Sequence, residues 1–262
     1  MSEFKSTFIE SDQVAIYRGK KNRDGLDKFY ESERVTIRRC IADSSSLLDI
    51  GSLNGDTWGA IRAEKALSYT GMDIDPVAIQ QARSNFPDAE FIVGDFLDEA
   101  ASEIRFDTVL SLNLFDHFED WKAAMRGFRR HAIKYINFST LLRAEGASVT
   151  DRDLSYVYYG GGERRLLWAV HNIHELYAYA ATEEIGAASV EIYCYRKYDD
   201  ARFGNVGYAM HSVHPLPIED ILVGNVVVVL DQGGGMRATK RRPDFKVVRD
   251  GRVVIDSPWK TK

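Results

Sequence analysis

From residue 46 to about residue 140, short apolar runs alternate with longer amphipathic stretches along this 262-residue chain. Runs of strand length that alternate with stretches of helical spacing predict a parallel sheet joined by right-handed helical crossovers. The pair Asp75–Pro76 supports one of these helices, because aspartate caps a helix N-terminus and proline fits the first helical position. The strand-like runs are 46–50, 68–72, 89–93, 106–112 and 133–138, and the helix-like stretches are about 56–67, 76–85 and 119–130.

After residue 139 the alternation becomes less regular. A helix is predicted at about 172–184, and two further strands near 188–197 and 220–230. Near the carboxyl terminus, two β-type runs flank Asp250–Gly251, a pair that is typical of a hairpin turn.

Together these elements predict an α/β fold: a Rossmann-like, open, mostly parallel seven-stranded sheet with helices on both faces. The predicted parts are an N-terminal helical cap (1–45), a core domain (46–232) that includes a lid insertion (140–170), and a C-terminal tail with a β-hairpin (233–262).

Composition narrows the class of partner. The formal net charge is −5, which disfavours nucleic acid as the main partner because phosphate binding needs a concentrated basic surface. No apolar stretch is long enough for a membrane span, and the amino-terminal residues lack a signal-peptide core, so we expect no membrane partner. Cys40 and Cys194 are far apart in the sequence, which favours reduced thiols in a cytoplasmic protein over a disulfide framework.

The ends of the predicted strands carry the residues with useful chemistry. Ligands of open α/β sheets bind beyond the carboxyl ends of the strands, so side chains at these ends are binding candidates. Gly51 and Gly55 permit a tight turn and close approach of the backbone to a ligand. Asp73 is placed to accept hydrogen bonds from ribose hydroxyls, and Asp95 from an adenine amino group. Three strand-end carboxylates favour a neutral or cationic adenosine ligand over a pyrophosphate.

Four segments in order resemble the motifs of class I S-adenosylmethionine-dependent methyltransferases. They are LLDIGSLNG, YTGMDIDPVAIQQAR, FIVGDFLD and FDTVLSLNLFDHFEDW. The resemblance implies that S-adenosylmethionine is the cofactor, and that Asp49 and Gly51 shape the pocket for its methionine end. It assigns the ribose to Asp73 and the adenine to Asp95 and Phe96. The implied cofactor-binding set is Asp49, Gly51, Ser52, Gly55, Asp73, Ile74, Asp95, Phe96 and Asn113, the last near the sulfonium.

Leu53 departs from the family pattern, because many members have glycine at that position. The departure leaves the conformation of the loop open. It weighs more heavily against a dinucleotide enzyme, whose second loop glycine admits the pyrophosphate.

His117 is the first candidate for a catalytic base, because imidazole titrates near neutral pH. Asp116 beside it and His174 on the helix that follows the lid complete the candidate catalytic set. His171 and His174 are three residues apart and predicted to share a helical face, which is compatible with a substrate pocket or a metal site. We predict no metal, and a structural role for His117 remains the alternative.

The predicted reaction is transfer of a methyl group to an oxygen or nitrogen of a small-molecule or saccharide acceptor. A hydroxyl acceptor needs a base, whereas an amine can lose its proton to water before it binds. The tyrosines at 156, 158 and 159, with Trp168, are candidates for an acceptor pocket in the lid. The alternatives are an NAD(P)-dependent oxidoreductase and a non-catalytic domain that binds an adenosine ligand. The sequence leaves the oligomeric state open.

Overall fold

The computed structural model describes residues 25–98, 104–159, 165–197, 210–213, 216, 220–232, 243–249 and 251–256. The first 24 residues of the predicted cap and Asp250 of the predicted hairpin turn lie outside this set. The described helices are α1 (Glu31–Ile41), α2 (Asp56–Ile61), α3 (Pro76–Asn85), α4 (Trp121–His131) and α5 (Ile173–Ala180).

Most of the strands belong to one mixed sheet. Its strands are β1 (Ser46–Ile50), β2 (Ser68–Asp73), β3 (Glu90–Val93), β4 (Phe106–Ser111), β5 (Ala132–Arg143), β9 (Ala187–Lys197), β11 (Leu222–Leu230), β12 (Asp244–Arg249) and β13 (Arg252–Asp256). From one edge to the other, their order is β13, β12, β9, β11, β5, β4, β1, β2, β3.

The seven strands from β9 to β3 correspond to the predicted seven-stranded sheet, and the C-terminal hairpin extends it. Strand β11 runs antiparallel to both of its neighbours, whereas β1 to β5 pair in parallel. The predicted β-hairpin is β12 and β13, and β12 joins the sheet in parallel beside β9. The Rossmann-like fold is thereby confirmed.

The predicted lid is more regular than expected. Strand β5 continues to Arg143, so residues 140–143 belong to the sheet and not to an insertion. The extension is paired on both sides, with Leu142 opposite Leu222 of β11 and opposite His171 of β8 (Val170–Asn172). The strands within the predicted lid are β6 (Tyr156–Tyr159) and β7 (Leu166–Leu167), which form a small sheet with β10 (Met210–Val213).

Helices cover both faces of the main sheet, as predicted. Apolar side chains of α2 and α3, among them Ile61 and Ile79, pack in one core cluster. On the other face, Phe128 of α4 and Leu176 of α5 pack in a second, larger cluster. Among the described residues, no helix is both long and apolar enough to cross a membrane.

Candidate active site

The loop that follows β1 is bound to the end of β2. Gly51 and Ser52 both donate their backbone N–H groups to the carbonyl of Met72, at 2.8 and 3.1 Å. Gly51 and Gly55 have positive φ values of 79° and 84°, and Leu53 between them has a φ of 47°. Leu53 therefore adopts the left-handed conformation that glycine usually occupies, and the loop keeps its turn without a glycine at this position.

Asp73 lies beneath this loop at the end of β2. Its two carboxylate oxygens accept the N–H groups of Leu53 and Asp75, each at 2.9 Å. Burial raises the pKa of Asp73 to about 6, although these N–H groups and that of Ile74 favour the ionised form. The structure thus brings Asp73, Ile74 and the loop after β1 together.

Asp49 is buried one strand away, on β1. Its carboxylate accepts the hydroxyl of Tyr69 at 2.7 Å and also that of Thr57. Burial raises the pKa of Asp49 to about 6, and the negative charges of Asp73 and Asp56 act in the same direction. The ends of β1 and β2 therefore hold a compact group of carboxylates that favours a positive or hydrogen-bond-donating ligand.

Asp95 and Phe96 follow β3, and one is partly exposed whereas the other is buried in the core. Asp95 is partly exposed, and its carboxylate accepts the N–H of Leu97 at 3.0 Å. Phe96 is buried, and its ring stacks on Phe128 at 5.0 Å and meets Phe118 edge-on at 5.6 Å. Because its ring packs in the core against α4, we no longer assign the Phe96 side chain to the adenine.

The two loop glycines are required for different reasons. A Cβ atom at Gly51 would lie 3.1 Å from Leu114, which follows β4. A Cβ atom at Gly55 would lie 2.7 Å from Phe86 and 2.9 Å from Phe91. Gly55 was predicted to permit close approach of a ligand, but in the structure two core rings, Phe86 and Phe91, leave no room for a Cβ atom at this position.

Asn113 follows β4 in the left-handed region, with a φ of 54°. Its backbone N–H donates to the hydroxyl of Ser139 on β5 at 2.6 Å, and its side chain is exposed. Asn113 therefore lies at the same sheet edge as the loop after β1, because its neighbour Leu114 packs close to Gly51.

Asp116 and His117 form a short 3₁₀ turn with Phe115. The carboxylate of Asp116 is buried, accepts the hydroxyl of Thr140 and accepts the N–H of Leu141 at 3.0 Å. Burial raises the pKa of Asp116 to about 7. His117 is half-buried, its Nδ1 lies 2.7 Å from the carbonyl oxygen of Leu167 in the lid, and burial lowers its pKa.

The structure does not bring His171 and His174 together. His171 is fully buried between Phe115 and Trp121, with ring centroids at 4.9 and 5.8 Å, and neither of its ring nitrogens has a hydrogen-bond partner. Burial lowers the pKa of His171 to about 3. His174 is exposed on α5, with its ring 5.9 Å from Phe245 of the C-terminal hairpin. We therefore do not retain His174 as a catalytic candidate.

The sequence of the central sheet matches a known family. Residues 47–133 match the family model described as a methyltransferase domain. This part of the chain, about a third of its length, is therefore similar to a methyltransferase domain. The match supports the predicted methyltransferase family and enzyme class.

Several solved structures share the fold of this chain at low sequence identity. The N-terminal domain of EvdMO1, solved with S-adenosylhomocysteine bound, is 16% identical, with a TM-score of 0.53 over 78% of this chain and 82% of that chain. Magnesium protoporphyrin IX methyltransferase from Synechocystis PCC 6803 is 14% identical, with a TM-score of 0.50 over 88% and 99%. Phosphoethanolamine N-methyltransferase 2 from Haemonchus contortus is 11% identical, with a TM-score of 0.59 over 88% and 60%. No curated protein matches the sequence itself.

The residues of the methyltransferase domain fit an S-adenosyl ligand. The Oγ atom of Ser52 is buried and has no hydrogen-bond partner, although it belongs to the loop beside Asp73. A buried hydroxyl without a partner costs free energy unless a ligand or water completes it. Together with the carboxylates at 49, 73 and 95, this hydroxyl suits a ligand that has ribose hydroxyls, amino groups and a positive charge.

The sequence analysis did not identify the residues that hold the 3₁₀ turn Phe115–His117 in place. These residues are Ser139 and Thr140, which lie beyond residue 138, where the strand was predicted to end. The apolar pair Leu141–Leu142 is the sequence signal that the strand continues. Trp168, predicted to line an acceptor pocket, is buried and hydrogen-bonded to Asp116. Among the described residues, no group of three or more histidine, cysteine or acidic side chains is placed to hold a metal.

Proposed function

We propose that this protein transfers the methyl group of S-adenosylmethionine to a hydroxyl or amino group of a small-molecule or saccharide acceptor, and that a hydroxyl is preferred. The contact that carries the preference is the 2.7 Å hydrogen bond between His117 Nδ1 and the carbonyl oxygen of Leu167. A carbonyl oxygen only accepts, so Nδ1 must carry the proton, and Nε2 is the basic nitrogen of the neutral ring.

The cofactor, when bound, supplies an electrophilic methyl group that is displaced in line by the acceptor. In this proposal Asp73 accepts the ribose hydroxyls, and Asp95 accepts the adenine amino group. Ser52 and Asp49 serve the methionine end, and Asn113 lies beside the reacting centre. Most of the rate enhancement then comes from holding the two reactants in line, because positioning can replace a large part of the entropic barrier.

His117 takes the proton that a hydroxyl acceptor loses as its oxygen attacks. Burial lowers the pKa of His117, so its ring is neutral at physiological pH and able to accept a proton at Nε2. An amine acceptor does not need this base. We do not propose the neighbouring Asp116 as a second base, because its carboxylate already accepts hydrogen bonds from Thr140 and Leu141.

The nature of the acceptor is supported by two structural neighbours. The N-terminal domain of EvdMO1 was crystallised in the presence of S-adenosylhomocysteine and D-fucose, and is 18% identical with a TM-score of 0.52. The Haemonchus contortus enzyme is by its name an N-methyltransferase of a phosphorylated amine. Sugar hydroxyls and amines are therefore the two acceptor classes to compare, and His117 favours the first. We also propose a reducing, cytoplasmic setting, because Cys40 and Cys194 are buried thiols and do not form a disulfide.

Ligand-induced stabilisation tests the cofactor assignment. Thermal unfolding is measured with S-adenosylmethionine, S-adenosylhomocysteine and NADH in parallel, because a ligand stabilises the folded state in proportion to the logarithm of its concentration over Kd. We expect the melting temperature to rise with the first two ligands only. A rise with NADH alone would support an oxidoreductase instead.

Transfer is then measured by mass spectrometry on matched panels of monosaccharides, nucleotide-linked sugars and primary amines. His117→Gln is the variant that separates the acceptor classes. We expect it to lower kcat for hydroxyl acceptors by about 100-fold or more, as for other general bases, and to leave amine acceptors nearly unaffected. Undiminished transfer to hydroxyls would remove the base from the proposal, and the absence of transfer to every acceptor would leave a cofactor-binding domain without activity.

A further inference from the structure

Three successive residues of the lid, 167–169, form hydrogen bonds with Asp116 and His117 of the 3₁₀ turn. The carbonyl of Leu167 accepts from His117 Nδ1 at 2.7 Å, and the indole of Trp168 donates to the Asp116 carboxylate. The N–H of Ala169 donates to the backbone carbonyl of Asp116 at 2.8 Å. The lid is therefore joined to this turn through the backbone and the side chain of Asp116.

The same carboxylate is held from the opposite side by the end of β5. Oδ1 of Asp116 accepts the Thr140 hydroxyl and the Leu141 N–H. Asp116 is buried, and the groups that shift its pKa are burial, Thr140, Leu141 and Trp168, with no charged side chain among them. Asp116 thus links the sheet to the lid, because its carboxylate accepts hydrogen bonds from three donors. None of these donors is a charged side chain, so the carboxylate is not part of an ion pair with them.

The consequence falls on His117. The tautomer of a histidine is set by the hydrogen bond that one ring nitrogen makes. In His117 this is the bond that Nδ1 donates to the carbonyl oxygen of Leu167. Leu167 immediately precedes Trp168, whose indole is bonded to Asp116. Displacement of this lid strand would take the carbonyl away from Nδ1 and allow the proton to move to Nε2, where it blocks the base.

We infer that Asp116 is a positioning residue, which fastens the lid strand to the end of β5 so that the carbonyl of Leu167 keeps His117 able to take a proton at Nε2. The inference rests on the proposed role of His117 as the base. It assigns no direct contact between Asp116 and the reactants. It also explains why a buried carboxyl with three donors stands beside the base.

Asp116→Asn is the decisive variant. Asparagine has the same shape but a single acceptor oxygen, so it cannot accept from both the β5 side and Trp168. Trp168→Phe removes the indole donor alone, and the two variants are expected to act alike on His117. Asp107→Asn is the matched control, because Asp107 is a buried carboxylate that accepts the N–H and hydroxyl of Ser45, each at 2.7 Å, away from the lid.

The first readout is independent of turnover. The full chain is labelled with ¹⁵N-histidine, and the signals of His117 are identified among the six histidines by their loss in His117→Gln. In the wild type we expect a protonated Nδ1 and an unprotonated Nε2 at neutral pH. Asp116→Asn and Trp168→Phe should shift His117 towards the Nε2-protonated tautomer, whereas Asp107→Asn should lower thermal stability and leave the His117 signals unchanged.

The second readout is the pH profile of methyl transfer to a hydroxyl acceptor. Asp116→Asn should lower kcat by about tenfold or more, because a wrong tautomer disables a histidine base, and should shift the apparent pKa of the kcat profile. If His117 keeps a protonated Nδ1 in both Asp116→Asn and Trp168→Phe, the inference is wrong. If the tautomer shifts but His117→Gln transfers normally, the positioning stands and the proposed base fails.

Discussion

The backbone N–H of Leu53 donates a 2.9 Å hydrogen bond to Oδ2 of Asp73, a residue twenty positions further along the chain. This contact joins the loop after β1 to the end of β2 and helps to hold Leu53 in a left-handed conformation that is unusual for leucine. The left-handed conformation of Leu53 points its N–H at the carboxylate. We therefore expect the cofactor site to depend on the backbone N–H of residue 53 and not on its side chain.

Asp73→Asn should weaken cofactor binding while Leu53→Gly should not. Loss of a hydrogen bond to a charged carboxylate is worth about 1.5–3 kcal/mol, so we expect Kd for S-adenosylhomocysteine to rise about 10- to 100-fold in Asp73→Asn. Leu53→Gly keeps the N–H and adopts a positive φ readily, so its Kd should stay within about threefold of wild type. Isothermal titration calorimetry measures both, with circular dichroism to verify folding. An unchanged Kd in folded Asp73→Asn would show that the ribose site lies elsewhere.

Gly55→Ala should destabilise the fold more than Gly251→Ala. Both positions have a positive φ, 84° and 74°, so both substitutions carry a conformational cost of about 1–2 kcal/mol. Only at Gly55 does the added Cβ meet core rings, within 3 Å of Phe86 and Phe91, whereas nothing lies within 4 Å at Gly251. We expect overpacking to add about 1–3 kcal/mol at Gly55, measured by urea unfolding. Equal losses at the two positions would mean that the Phe86 and Phe91 rings shift freely.

Phe96→Leu should reduce stability without affecting the cofactor. The Phe96 ring is packed between Phe118 and Phe128, so its replacement is expected to lower the free energy of unfolding by about 1–3 kcal/mol. Kd for S-adenosylhomocysteine should remain within about threefold of wild type. Asp95→Asn is the comparison, because this partly exposed residue should change Kd more than stability. The reverse pattern would return the Phe96 ring to the adenine site.

The stability difference between wild type and Asp116→Asn should depend on pH. Burial raises the folded-state pKa of Asp116 from 3.8 to about 7, so between these values the folded state binds more protons than the unfolded state. The contribution of this carboxyl is therefore fully present below about pH 4 and is lost as the pH rises to about 7, by up to about 1.4 kcal/mol per pH unit.

The variant has no titrating group at this position, so the stability difference between the two proteins reports Asp116 alone. The lowered pKa of His171 makes stability rise with pH, but it does so equally in both proteins and cancels in the difference. Urea unfolding of both proteins at several pH values from 4.5 to about 8 measures it, and we expect the advantage of the wild type to shrink as the pH rises. An advantage that stays constant over this range would show that Asp116 is ionised in the folded protein throughout it.

Much of the fold followed from hydrophobic periodicity. The strand at 46–50 and the helix at 76–85 lie where the pattern predicted them, the strand as a short and largely buried run and the helix as an amphipathic stretch that begins at Asp75–Pro76. The helix predicted at 56–67 ends at Ile61 instead, and strand five continues past residue 138. Both ends depend on neighbours, since β11 and β8 pair with the extension of β5.

The sequence by itself determined the α/β order of the core and the chemistry at the strand ends. Parallel strands all end at one edge, so Asp49, Asp73, Asp95 and Asn113 had to meet there whatever the details of packing. Only the tertiary structure decided which groups these residues contact. It turned the Phe96 ring into the core and brought the Leu167 carbonyl to His117, fifty residues away. Such contacts depend on strand register, sheet pairing and packing volume, which no local pattern of residues records.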